Sequence, residues 1–277
     1  MNRQKIVIGY DGSSTARAAL TWALDEADRT GAAAELVYAD EWPVWAPAAS
    51  MVPAPALRPD GYADEVIGGM LEHAVAAARQ THPTVPISAT TVQAFAAAGL
   101  AGRSDRARMI VLGTRGHSAL AGLVGSVGAS VGARAHCPVV VVHGEVTGVG
   151  PVVAGVDDSP LSAAVLRFAA EQAAGHRAGL RVIRLQRVDD HHDPVGELLG
   201  SLTDEFPGLR VEIDAPPENP AAALVAAGGT ARLLVVGSRG RGSVRGLLLG
   251  AVSRTALRHA ACPVAIVHDL GESGELS

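Results

Sequence analysis

Ile6-Val-Ile-Gly-Tyr-Asp-Gly-Ser13 returns later in the chain as Val152-Val-Ala-Gly-Val-Asp-Asp-Ser159, 146 residues on. In both places an apolar run ends in Gly-x-Asp-x-Ser, so a short buried strand passes directly into a helix entry. The same offset carries Leu36-Val-Tyr-Ala39 onto Val182-Ile-Arg-Leu185, which keeps the intervening helix at one length in both copies. Gly113-Thr-Arg-Gly116 matches Gly237-Ser-Arg-Gly240 at 124, so the second copy lacks about 22 residues in its middle. His136-Cys-Pro-Val matches Ala261-Cys-Pro-Val at 125, which makes the first glycine-rich stretch one residue shorter than the second. The chain reads as a tandem duplication with a boundary near Gly144–Gly150, its domains spanning 1–147 and 148–277.

Each copy alternates strand and helix. In the first, Lys5–Gly9 reads as a buried strand and Ser14–Thr30 as a helix closed by Gly31. A second strand is expected at Ala34–Ala39, a helix at Asp60–Gln80 with Val66, Met70, Leu71 and Val75 on one side, and a strand at Ile87–Gln93. Ala96–Ala107 reads as a helix, Arg108–Leu112 as a strand, Ser126–Ala135 as a helix and Pro138–His143 as the last strand. Such alternation implies an α/β class with parallel strands and helices on both faces, joined by right-handed crossovers. Ligands of such sheets sit beyond the strand C-termini, where the winding reverses.

Composition narrows the classes. At 277 residues, 48% hydrophobic and 18% charged, the chain suits a folded two-domain protein rather than a disordered one. A net charge of −5 offers no attraction to nucleic acid or acidic membranes. No apolar run approaches the roughly 20 residues that span a bilayer, and the N-terminus lacks a signal-peptide core, so a cytoplasmic protein is expected. Cys137 and Cys262 occupy one position in the two repeats and read as buried free thiols rather than a redox pair. Lys5 is the sole lysine, which excludes a Walker A loop.

The glycine-rich stretches leave strand C-termini and lead to helices. Gly113, Thr114, Arg115 and Gly116, with Gly125, Ser126 and Val127 at the next helix start, form one candidate anion cradle. Gly237, Ser238, Arg239 and Gly240, with Gly250, Ala251 and Val252, form the other. Asp11 and Asp157 fall at the same end of the sheet, where a carboxylate can accept from a ribose hydroxyl or face an adenine edge. They can equally cap the first helix, as can Ser13, Asp158 or Ser159. Arg115 and Arg239 can contact phosphate or point to water.

An early Gly-x-Asp-x-Ser, a late Gly-x-x-Gly-x(9)-Gly-[Ser/Thr] and a closing Cys-Pro-Val strand, present in order and nearly whole-chain in two copies, resemble the universal stress protein family, and its tandem-domain actinobacterial members in particular. The resemblance implies two Rossmann-like domains of the adenine nucleotide α-hydrolase type, each with a five-stranded parallel sheet of order 3-2-1-4-5. It also implies a homodimer through the last strands and, in one subclass, ATP binding with or without Mg2+. The residues themselves point to pairing of the apolar last strands, Val139–Val142 and Val264–Val267, copy with copy and then chain with chain. Carried over, the nucleotide roles fall on Gly9, Asp11, Ala39, Gly113, Gly116, Gly125 and Ser126 in copy one, and on Gly155, Asp157, Leu185, Gly237, Gly240 and Gly250 in copy two. Both copies depart from the pattern: eight residues separate Gly116 from Gly125, and Ala251 stands where a hydroxyl is expected. The tight loop disturbs more than one lost hydroxyl, so the second site is expected to bind better.

Other candidates are weaker. Asp189-Asp-His-His-Asp193 lacks metal-ligand spacing and reads as a solvated loop. His117 can touch a phosphate, and the Trp42–Trp45 and Pro43–Pro59 stretch can act as a lid or cover the sheet edge. No catalytic residue is found, so any ATP hydrolysis is expected to be slow. The expected function is an adenine-nucleotide-binding stress regulator. A scaffold without nucleotide, or a slow ATP-hydrolysing or AMP-transferring enzyme, stands as the alternative.

Overall fold

The computed structural model describes residues 5–41, 62–114, 126–144, 149–157, 159–185, 193–214, 218–240 and 249–268. In the first repeat, β1 (Lys5–Gly9), α1 (Ser14–Thr30), β2 (Ala33–Asp40), α2 (Tyr62–Thr81), β3 (Ile87–Gln93), α3 (Ala96–Ala101), β4 (Ala107–Gly113), α4 (Ser126–Arg134) and β5 (Val139–Val142) follow in order. The second contains β6 (Val152–Val156), α5 (Leu161–Gly175), β7 (Leu180–Arg184), α6 (Pro194–Glu205), β8 (Val211–Asp214), α7 (Pro220–Gly228), β9 (Leu233–Gly237), α8 (Ala251–His259) and β10 (Val264–Val267). Capping sets the ends of α1: Ser13 Oγ accepts from Ala16 N, and Gly31 closes it at φ 67°. One expected helix is corrected. The helix read at Ala96–Ala107 stops at Ala101, with Gly102 as its C-cap, and a 3-10 turn at Ser104–Arg106 leads into β4.

All ten strands join one sheet of order β3-β2-β1-β4-β5-β10-β9-β6-β7-β8. Each half has the 3-2-1-4-5 order with parallel neighbours, and the halves meet at an antiparallel pair, β5 with β10. Val139–Val142 and Val264–Val267 are fully apolar, and an uncovered apolar edge invites association. Their register sets Val140 opposite Ala265, its own counterpart in the repeat, so a pseudo-twofold axis passes there. Because the two runs of strands point in opposite directions, the strand C-termini of the repeats open at opposite ends of the sheet.

This pairing corrects the expected use of the last strands by a homodimer. With β5 flanked by β4 and β10, and β10 by β9 and β5, neither last strand keeps an edge for a second chain. Of the two pairings expected of these strands, copy with copy is the one made. Alternation along the strands then builds two cores that run through both repeats. Ile6, Ile8, Met109, Val140, Val152 and Ala265 face α1, α2, α5 and α6. Val7, Ile110, Val139, Val153, Val264 and Ile266 face α3, α4, α7 and α8. Cys137 and Cys262 are buried free thiols, and burial pushes the Cys262 thiol up to about 11, far from a reactive thiolate. Among the described residues no helix is long and apolar enough to cross a membrane.

Two histidines at equivalent positions lock the halves together. His143, after β5, donates from Nε2 to the Leu257 carbonyl of α8 at 2.8 Å. His268, after β10, donates to the Gly132 carbonyl of α4 at 2.7 Å. Among the described residues neither Nδ1 atom, both of them buried, has a hydrogen-bond partner. Burial lowers the His268 pKa below its usual 6.5, and the charges of His136 and Arg239 act in the same direction. The unfolded chain therefore takes up a proton before the folded one does as the pH drops, so stability falls with pH below 6.5 and is complete above it. His268→Gln keeps a donor to Gly132 but does not titrate. Urea unfolding between about pH 5 and 8 should show a shallower acid-side loss for this variant than for the wild type.

Candidate functional site

Gly9 ends β1, Gly155 is the last residue but one of β6, and their hydrogens face apolar side chains. A Cβ on Gly9 would lie 2.6 Å from Leu112 Cδ2, and one on Gly155 would lie 2.9 Å from Leu224 Cδ1. Glycine is needed there to seat α3 and α7 on the sheet, so only the backbone of these residues is open to a ligand role. Gly113 and Gly237, which end β4 and β9, face the first helix of their own repeat. A Cβ on Gly113 would lie 2.5 Å from the Thr15 carbonyl carbon, and one on Gly237 would lie 2.6 Å from Leu161 Cδ2. These glycines bring the strand end against the helix that carries the first-strand aspartate at its entry.

The aspartates hold the same turn in both copies. Asp11 Oδ1 accepts from Ser13 N at 3.0 Å, and Asp157 Oδ1 accepts from Ser159 N at 3.1 Å. The capping alternatives separate at the next residues. Ser13 caps α1, whereas α5 begins after Pro160 with no side-chain cap. Ser162 instead donates its hydroxyl back to Asp157, to the carbonyl and, at 3.3 Å, to Oδ1. The Ser159 Oγ, relieved of capping, is buried with no hydrogen-bond partner.

In the second copy the glycine loop closes on this aspartate. A Cβ on Gly240 would lie 2.5 Å from Asp157 Oδ2, so Gly240 lets backbone and carboxylate share one wall. Both ends of the loop are fastened. Ser238 N donates to Val267 O at 2.8 Å, and Gly250 N to Ser238 O at 2.9 Å. Ser253 Oγ donates to Gly237 O at 2.6 Å. Gly250 caps α8 without a side-chain hydrogen bond, so the first N–H groups of α8, from Ala251 and Val252 onward, meet no capping side chain. Arg239 is exposed beside them. Sequence reasoning missed Ser253. Its counterpart is Gly128, so the fastening belongs to copy two alone, and its only sequence signal is a serine in a helix start already short of the expected hydroxyl.

The remaining sequence-derived residues divide by position. Ala39 lies in β2, paired with Val92, and Leu185 follows β7 and donates N–H to Val156 O at 2.7 Å. The side chains of Leu185, Val127 and Val252 pack against the second core, which leaves their backbone groups alone for a ligand. Thr114 and Ser238 are buried beside their glycines. Ser126 opens α4. Arg115, Gly116, Gly125, His117, Asp158, the Trp42–Trp45 and Pro43–Pro59 stretch, and Asp189 to His192 lie outside the described residues. Asp193 caps α6 and takes both Arg184 guanidinium nitrogens at 2.7 Å, a structural role. Among the described residues no cluster of His, Cys, Asp or Glu could hold a metal. Two grooves of about 810 and 980 Å³ lie away from the glycine loops, one at the strand starts of the second repeat and one at the repeat junction.

The model of the universal stress protein family matches residues 2–143 and 195–268. The chain belongs to the universal stress protein family. A universal stress protein of Mycobacterium tuberculosis strain H37Rv is 30% identical over 297 residues, covering 94% of this chain and 96% of the relative. A relative from Mycolicibacterium smegmatis is 31% identical over 294 residues, covering 95% and 96%. Two-repeat length is thus shared with these relatives. A universal stress protein structure from Archaeoglobus fulgidus shares the fold at TM-score 0.66 and 18% identity, covering 97% of this chain and 99% of that one. One from Pseudomonas aeruginosa does so at TM-score 0.61 and 16% identity, covering 96% and 94%.

The two strand-end glycines should respond differently to a methyl group. In Gly113→Ala the obstruction is Thr15 backbone, which moves only with α1, and about 1–3 kcal/mol of stability should be lost. In Gly237→Ala the nearest obstruction is the end of the Leu161 side chain, which can rotate, so the loss should be smaller. Urea unfolding of both variants measures the order.

Proposed function

We propose that the protein binds an adenine nucleotide, ATP with or without Mg2+, at the strand C-termini, and acts as a cytoplasmic stress-response regulator with little or no rapid turnover. The observation that carries this reading is the meeting of Asp157, Gly240 and the uncapped start of α8 at one end of the second repeat. An acceptor faces one side of that crevice and backbone donors face the other, the polarity that a ribose and a phosphate chain require. Within this reading, Asp157 takes a ribose hydroxyl or adenine edge, the backbone at Leu185 meets the base, and Gly237–Gly240 with Gly250–Val252 hold the phosphates. The bound nucleotide itself supplies the anionic charge that these N–H groups accept.

The second site is proposed as the tighter one. Its loop ends are already fastened by Ser238, Gly250 and Ser253, so less order has to be imposed on binding. The first copy has Gly128 in place of Ser253 and a loop one residue shorter.

Denaturing the purified protein and analysing the released small molecules by mass spectrometry should reveal adenine nucleotide, and ATP with Mg2+ should raise the melting temperature. Neither effect would leave the scaffold reading in its place. Asp157→Ala should weaken ATP binding about ten- to a hundredfold, the worth of a hydrogen bond to a charged group. Gly237→Asp/Gly240→Asp should cost more affinity than Gly113→Asp/Gly116→Asp; the reverse order by calorimetry would reject the ranking.

A further inference from the structure

Helices α1 and α5 meet across the pseudo-twofold axis, and three positions related by the 146-residue offset carry different residues on the two sides. Glu26 is 1% exposed and accepts a 3.0 Å hydrogen bond from Nε2 of Gln172, its own counterpart, also 1% exposed. Arg29 grips the same carboxylate, Nε to Oε2 at 2.9 Å and Nη2 to Oε1 at 2.5 Å. Its counterpart is Gly175, and a Cβ there would overlap the Arg29 guanidinium. Thr30 Oγ1 donates to the Glu26 carbonyl at 2.7 Å. The counterpart of Thr30, His176, sets Nε2 at 3.5 Å from Glu26 Oε2. Acid faces amide, arginine faces glycine, and threonine is matched by histidine, at the i, i+3, i+4 spacing that makes one helix face.

We propose that this face makes the repeats selective partners: the first repeat accepts a helix presenting amide, glycine and histidine, which is the second repeat, and rejects a second copy of itself. Pairing like with like would place two Glu26 carboxylates where an acid and an amide now share a hydrogen bond. Two carboxylates at that separation cannot both ionise without a large penalty. It would also set Arg29 against Arg29 where the present contact has room only for glycine. Two copies of the second repeat would bring amide to amide but leave the space of the guanidinium empty, and a buried void is destabilising. Only the mixed pair satisfies the charge and fills the volume.

The electrostatics fit the mixed pair. Burial by itself would raise the Glu26 pKa, but hydrogen bonds from His176, Arg29 and Gln172 outweigh it and bring the carboxyl from 4.5 down to about 2. The folded protein therefore holds this proton less tightly than the unfolded chain. Its contribution is present above 4.5 and is lost as the pH falls toward 2.

The full-length variant Gln172→Glu recreates the like-with-like axis within one chain. At about pH 8 it should melt roughly 5–10 °C below the wild type, and the deficit should shrink toward about pH 5 as the paired carboxylates share a proton. The exchange variant Glu26→Gln/Gln172→Glu restores one acid and one amide and should recover most of the melting temperature. Gly175→Ala should lower it by an amount independent of pH, since only the space for Arg29 is lost. A Gln172→Glu protein as stable as the wild type at pH 8 would overturn the proposal. So would a deficit that does not change with pH, or one that the exchange variant fails to recover. If Gln172→Glu does not fold at pH 8, the exchange variant decides: folding supports selection by charge, and failure to fold overturns it.

Discussion

The antiparallel pairing of Val139–Val142 with Val264–Val267 is the contact on which the rest of the molecule depends. Each strand is apolar on both faces and would end its own five-stranded sheet as an open edge. Pairing them removes both edges, merges the two sheets into one and makes each core continuous across the repeats. It also imposes the pseudo-twofold axis. From that axis follow the meeting of α1 with α5, the crossed histidine contacts to α4 and α8, and the opposed orientation of the two strand-end crevices.

Symmetry at the backbone is broken by side chains in two places, with different consequences. At the junction, Glu26 opposite Gln172 and Arg29 opposite Gly175 turn two similar surfaces into a complementary pair. At the crevices, Ser253 in place of Gly128 and a longer loop give the second copy a fastened cradle. One set of side chains thus joins the halves, and another makes the strand ends of the two repeats differ. The junction rests on several bonds to one carboxylate, from Gln172 and Arg29, and the cradle on the Ser253 bond to Gly237.

The glycines show why a motif and its mechanism need separate arguments. Gly9, Gly113, Gly155 and Gly237 all belong to the pattern that suggested nucleotide binding. Each is required first because a neighbouring helix or side chain leaves no room for a Cβ. That packing places the loops at the strand ends and so builds the crevice. Gly240 is the exception, since its neighbour is the Asp157 carboxylate rather than the core.

The α/β class and the bounds of β1, α1 and β3 were legible in the sequence, because periodicity, capping residues and a constant repeat offset are local signals; the strand order within each half came with the family resemblance. The approximate position of the crevices was legible too, since in a doubly wound sheet it follows from strand order. The end of α3 was misread because Gly102 and the polar run Arg103–Arg106, which stop the helix, were read as part of it; the backbone there passes into a 3-10 turn. The last strands were legible only in part, since pairing of copy with copy and of chain with chain were both expected of them. Their composition called for a partner, but an apolar run serves a second chain and a second repeat equally well. The choice was made by the tertiary structure, which sets Val140 against Ala265 and thereby brings Glu26 within 3.0 Å of Gln172. The 146 residues between that acid and that amide carry no sign of the contact; the fold creates it by returning the chain on itself about an axis.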